Sequence, residues 1–139
     1  MYQIAWLSYI SVKKVFMAFA NTDKEITLIY NSTEHVGQQI LAYAQVEKLP
    51  IRVVDLTRDK LTKTQWVEFA SRMGISIRDL INTNDSEFSE NFGQTDQFSE
   101  DDWLTFLINN PSKLIKPIVM KGDKIVRMNS PQEMIYFVQ

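Results

Sequence analysis

The stretch ITLIYNSTEHVGQQIL, Ile26 to Leu41, changes its periodicity partway along. Glu25 to Tyr30 is a short apolar run that ends on the turn formers Asn31 and Ser32, the pattern of a buried strand. From Glu34 the apolar positions become Val36, Ile40 and Ala44, with Leu41 and Tyr43 alongside, which is helical spacing. Ser32 or Thr33 is expected to cap the first turn, and Glu34 to complement the helix dipole. Leu49-Pro50 stops that helix, and Ile51 to Leu56 (IRVVDL) is a second β-rich run. Strand, helix and strand with short links make a βαβ unit, so the strands should run parallel with a right-handed crossover.

Helical signals follow. Thr62-Lys63-Thr64-Gln65 has capping-box spacing, and Trp66, Phe69, Ala70 and Met73 share one face. Gly74 can close that helix in the left-handed conformation. Ser76-Ile77-Arg78-Asp79 offers a cap for a short helix through Leu80 and Ile81. Asn82 to Gln97 is the longest polar loop, with only Phe88 and Phe92 as apolar anchors. Ser99-Glu100-Asp101-Asp102 caps another helix whose core candidates are Trp103, Leu104, Leu107 and Ile108, and Pro111 ends it. Ile118 to Met120 and Ile125 to Met128 flank Lys121-Gly122-Asp123-Lys124, a tight hairpin. Ser130-Pro131-Gln132-Glu133 is expected to start a terminal helix burying Met134, Ile135 and Phe137.

Composition narrows the function classes. The 139 residues suit one domain, and 45% hydrophobic with 23% charged residues is a globular mix. A formal net charge of -2 gives no field favouring nucleic acid, and no motif supports it either. With no cysteine there is no disulfide, thiolate nucleophile or cysteine metal site. The single histidine, His35, excludes a multi-histidine zinc site within one chain. Glu100, Asp101 and Asp102 fall in a first helical turn, where acids are expected without a metal. Trp66, Trp103 and Phe106 read as core rather than base-stacking residues, and Gly37 stands alone rather than in a phosphate loop. No cofactor is implied.

No apolar run approaches the ~18 residues of a membrane span. In MYQIAWLSYISVKKVFMAFA the lysines follow the apolar part, the reverse of a signal peptide, so a cytoplasmic location is expected. Residues 1–24 read as an amino-terminal extension and 25–139 as the domain, with Met1 and Met17 both open as starts. Trp6, Leu7 and Ile10 share a helical face near lysines, a pattern open to a membrane-surface or partner helix, but the preferred reading is an extension packed on the body or one that exists only through start-site choice.

The order βαβ, helical insert, ββα resembles a thioredoxin-like α/β fold: a four-stranded mixed sheet flanked by helices. From about Ile26 to Val138 the residues resemble the glutaredoxin-type arsenate reductase family, which also contains the Spx regulators. Four segments carry the likeness: ITLIYNS, MGISIRDLI at Met73 to Ile81, FSEDDWLTFL at Phe98 to Leu107, and NNPSKLIKPIVM at Asn109 to Met120 before the SPQE helix start. The resemblance implies a cis Lys116–Pro117 bond facing the loop after the first strand. It also implies a nucleophilic cysteine at the start of the first helix, where Glu34 stands, and three oxyanion-binding arginines. Those arginine positions are Asn82, Lys116 and Ser130 in this chain. The C-x-x-C switch of Spx-type relatives is absent as well. Thiol-based arsenate reduction and redox sensing are therefore not expected.

The family pocket that remains is Glu34, His35, Asn82, Lys116, Pro117 and Ser130, with no catalytic residue. One reading is a non-catalytic interaction or regulatory protein; Spx-type relatives bind RNA polymerase, but no contact residue carries over. The other is a small-anion or small-ligand site, or a non-thiol enzyme, built on Glu34, His35 and Lys116. Adjacent residues at a helix start point in different directions, which weakens cooperation between Glu34 and His35.

Overall fold

A computed structural model describes residues 25–84 and 97–138. The extension expected over 1–24, and residues 85–96 of the polar loop, lie outside the described residues. The elements are β1 (Ile26–Tyr30), α1 (His35–Val46), β2 (Ile51–Asp55), α2 (Lys63–Met73) and a 3-10 turn (Ile77–Leu80). Then come α3 (Glu100–Asn109), a second 3-10 turn (Pro111–Lys113), β3 (Ile118–Lys121), β4 (Lys124–Arg127) and α4 (Glu133–Phe137).

The four strands form one mixed sheet in the order β2-β1-β3-β4. β1 runs parallel to β2, with Ile26 opposite Ile51 and Tyr30 opposite Asp55, and antiparallel to β3. All five residues of β1 are buried, because helices cover both faces of the sheet. Period-two alternation divides the strand. Ile26, Leu28 and Tyr30 pack with Ile40 and Ala44 of α1 and with Met134 and Phe137 of α4. Ile29 packs on the other side with Trp66, Phe69, Trp103 and Leu107 of α2 and α3. A strand covered twice reads as a continuous apolar run, as this one does. The architecture is the expected thioredoxin-like α/β fold.

Local signals account for most element ends. Gln65 N donates to Thr62 Oγ1 at 3.2 Å while Thr62 N donates to Gln65 Oε1 at 2.7 Å, closing the capping box of α2. Gly74, at φ 68°, closes the same helix. Ser99 and Asp102 make the equivalent box on α3. Gly122, at φ 58°, supplies the left-handed residue of the β3–β4 hairpin.

Three expectations are corrected. The Lys116–Pro117 peptide is trans, not cis. Trans is the lower-energy X-Pro form by ~0.5–1 kcal/mol, and backbone bonds hold the approach to β3 in it. Ile115 N donates to Leu80 O at 2.8 Å, and Met128 N to Pro117 O at 2.9 Å. Secondly, α4 starts at Glu133 and Ser130 gives it no side-chain cap. The Glu133 carboxylate turns back to Asn129, accepting from its N at 3.1 Å and its Nδ2 at 3.2 Å. Thirdly, Ile135 is 45% exposed, since so short a helix buries only Met134 and Phe137. Among the described residues no helix is long and apolar enough to cross a membrane.

Gly37 has a packing role rather than a phosphate-binding one. A Cβ there would stand 2.6 Å from Tyr30 Cδ2 and 3.0 Å from Tyr30 Cβ, so α1 lies on β1 at a distance only glycine allows. Gly37→Ala should destabilise the domain by about 1–3 kcal/mol, the usual cost of overpacking. Urea unfolding checks this; an unchanged midpoint would contradict the close approach.

Candidate functional site

The β1–α1 loop is tied down on two sides. Asn31 Nδ2 donates to Ser112 O at 3.0 Å, linking the loop to the turn before β3. Asn31 Oδ1 accepts from Thr33 N at 3.0 Å and Thr33 Oγ1 at 2.7 Å. On the other side stands Asp55, the last residue of β2 and the register partner of Tyr30. Its Oδ1 accepts from Ser32 N at 3.2 Å, Thr57 N at 3.0 Å and Thr57 Oγ1 at 2.9 Å. Arg58 Nε lies 3.6 Å from Asp55 Oδ2, and the Ser32 and Thr57 hydroxyls are 3.2 Å apart.

Asp55 is only 7% exposed, yet it ionises more readily than a free carboxyl. Burial alone would push it up; the hydrogen bonds from Thr57 and Ser32 outweigh burial and hold it below its ordinary 3.8. Tyr30 shifts the other way, raised by burial first and then by the Asp55 charge, with Arg58 opposing.

The cap of α1 is Glu34 itself, in extended conformation at φ -94° and ψ 135°. Glu34 Oε1 accepts from Val36 N at 2.9 Å and Oε2 from Gly37 N at 2.8 Å. Ser32 and Thr33, the expected caps, are engaged elsewhere: Thr33 with Asn31, Ser32 with Asp55 and Thr57. Free amides and a positive dipole end make a helix N-terminus receptive to anions. In this chain a carboxylate of the protein already meets the Val36 and Gly37 amides.

The other pocket residues do not converge on Glu34 through polar contacts. His35 is exposed, its Nε2 3.0 Å from Gln39 Nε2 one turn along α1. Lys116 is half-buried and has no ion pair among the described residues. Asn82 N donates to Lys113 O at 2.8 Å, and Asn82 Oδ1 accepts from Asn84 N at 3.2 Å. Pro117 is buried, and half-buried Ser130 accepts from Glu133 N through its carbonyl at 3.3 Å. No hydrogen bond or ion pair joins Glu34, His35 and Lys116 to one another. The described residues hold no cluster suited to a metal ion. Asp102 belongs to its capping box, Glu100 Oε2 accepts from Ile77 N at 3.2 Å, and Asp101 lies 3.7 Å from Lys63.

Asp55 and Asn31 are the residues that sequence reasoning missed. The signal was the spacing Asp55-Leu56-Thr57, which suits an aspartate accepting from the backbone two residues on.

Two outcomes follow. Glu34→Ala should lower stability by about 0.5–2 kcal/mol, as loss of an N-cap does, and chemical denaturation measures it. Because the Asp55 carboxyl is held low, its stabilisation is complete above pH 3.8 and is lost as pH falls further through the folded value. The stability gap between the natural chain and Asp55→Asn should therefore narrow below pH 3.8 in urea titrations. A gap that stays constant down to acid unfolding would contradict the assignment.

Comparison with solved structures gives an arsenate reductase from Vibrio cholerae at 15% identity and TM-score 0.69, covering 81% of this chain and 97% of that one. A candidate arsenate reductase from Yersinia pestis is similar at 19% identity and TM-score 0.71, covering 80% and 98%. An arsenate reductase (ArsC) related protein from Brucella melitensis follows at 13% identity and TM-score 0.64, covering 83% and 96%. At these identities the likeness speaks for the fold. No curated protein matches the sequence significantly. The model of the ArsC family matches residues 12–136, nearly the whole sequence. The chain belongs to the ArsC family.

Proposed function

We propose that this ArsC-family chain performs no thiol redox chemistry and acts as a non-catalytic protein-interaction or regulatory module, comparable in kind to the Spx-type relatives. The observation that carries the reading is the Glu34 carboxylate on the Val36 and Gly37 amides, in a chain without cysteine. Arsenate reduction moves two electrons and, by family resemblance, moves them through a thiolate at the Glu34 position. A carboxylate there can neither attack arsenic as a thiolate does nor form a disulfide. Its negative charge also opposes an incoming oxyanion at the helix end. Asn82 and Ser130, at two of the family's arginine positions, offer no bidentate cation. Function follows the site rather than the fold, so an intact scaffold with a replaced site supports a different role. In this reading residues 25–139 form the working domain, 1–24 an extension, and the compartment is the cytoplasm.

The alternative, a ligand site or non-thiol enzyme using Glu34, His35 and Lys116, has no specific observation in its favour. Glu34 is engaged by its own helix, and His35 pairs with Gln39.

The purified full chain, given arsenate and a thiol reductant, should form no arsenite above the protein-free rate; measurable turnover would overturn the reading. Glu34→Cys should create a thiol with a pKa below the ordinary ~8.5, as helix N-termini do, readable by pH-dependent alkylation. Arsenate turnover should remain absent in that variant, because Asn82 and Ser130 still stand at two of the three arginine positions. Affinity capture of the tagged full chain should retain a partner reproducibly; none under gentle conditions would count against the interaction role.

A further inference from the structure

An apolar groove runs between α2 and α3, on the opposite face of the sheet from α1. Val67, Ala70 and Ser71 of α2, Ile75 and Ile77 after it, and Leu104 of α3 line it, with Glu100 and Asp101 also at its wall. Its volume is about 370 Å³, within the ~300–1,000 Å³ range of sites that seat ligands or side chains. Val67 is 47% exposed, an apolar side chain left half in water in the middle of a helix. Both acids are exposed: among the described residues Glu100 accepts one backbone hydrogen bond, and Asp101 meets Lys63 in a long, solvated pair. Such a solvated pair is worth little and is readily exchanged for another cation.

We propose that the amino-terminal segment of this same chain docks in the groove, with Trp6, Leu7 and Ile10 against the apolar wall and Lys13 and Lys14 against Glu100 and Asp101. Charge selects this occupant. Residues 1–24 carry Lys13, Lys14 and Lys24 against Asp23 alone. The other segment outside the described residues, 85–96, carries Asp85, Glu87, Glu90 and Asp96 and no cation, so the two groove acids repel it. Pattern agrees: on a helical period Trp6, Leu7 and Ile10 share a face, and the lysines follow one turn later. An apolar stripe followed by cations fits an apolar groove with acids beside it, as helix-in-groove recognition requires. Reach permits it, since the ten residues between Lys14 and Glu25 span up to ~35 Å, more than the radius of a domain of this size.

The absence of native cysteine makes the test direct. A nitroxide is attached to the Ser11→Cys variant of the full chain, and methyl NMR signals are compared before and after the label is reduced. The signals of Val67, Ile75 and Leu104 should be lost in the oxidised sample and return on reduction. Mixing spin-labelled, isotopically silent protein with unlabelled, isotope-enriched protein should leave them intact, as contact within one chain demands. Val67→Arg, at a half-exposed position that the fold does not need, should restore the Ile75 and Leu104 signals by filling the groove and repelling the lysines. Charge reversal by Lys13→Glu with Lys14→Glu should restore all three. Unbroadened groove methyls, or broadening confined to another surface, would overturn the proposal. Broadening that persists in the mixed sample would overturn it in favour of a second copy, and broadening that survives charge reversal would remove its electrostatic basis.

Discussion

Burial of β1 on both faces is the constraint on which the rest of the structure depends. Because Ile26, Leu28 and Tyr30 face α1 and α4 while Ile29 faces α2 and α3, a one-residue slip would exchange two different packed surfaces. The parallel ladder with β2 is thereby fixed, and it sets Asp55 opposite Tyr30 at the strand ends. Asp55 then holds Ser32, and Asn31 reaches Ser112, so the loop is anchored to both neighbours of its strand. Gly37 lets α1 descend onto Tyr30, which fixes where the helix begins. The position of the loop is a consequence of the core.

Within that frame the chemistry turns on one side chain. A helix start brings amides and partial positive charge to one point, and families use that point for a thiolate or a bound anion. Glu34 meets both demands internally, with two charge-assisted hydrogen bonds and a compensating charge. The helix is thus capped from within, with the Glu34 carboxylate as the partner of the Val36 and Gly37 amides.

Much of the fold could be read from the sequence because its signals are local or periodic. The apolar run of β1, the Thr62–Gln65 and Ser99–Asp102 boxes, Gly74 and the Gly122 hairpin depend on neighbours a few residues away, and each sits where its chemistry predicts. The site was less legible because its decisive contacts are long-range or involve a choice among rivals. Ser32 and Thr33 are better capping residues than glutamate in general, but Asp55, Thr57 and Asn31 claim them first, and only the β1–β2 register reveals that. Asp55 lies in the IRVVDL run, and its bond from Ser32 N spans 23 residues of chain. The cis-proline expectation came from resemblance alone, and the backbone bonds of Ile115 and Pro117 accommodate a trans peptide. At α4, Ser130 had the right residue type and spacing for a cap, but Glu133 turned to Asn129 instead.

The Glu34 carboxylate occupies the Val36 and Gly37 amides at the start of α1. The most direct measurement is an amide NMR titration of the full chain with arsenate, following the Val36 and Gly37 N–H signals. Neither signal should shift saturably at any arsenate concentration, with the Glu34 carboxylate remaining their partner. A saturable shift of both amides, with Glu34 displaced, would contradict it.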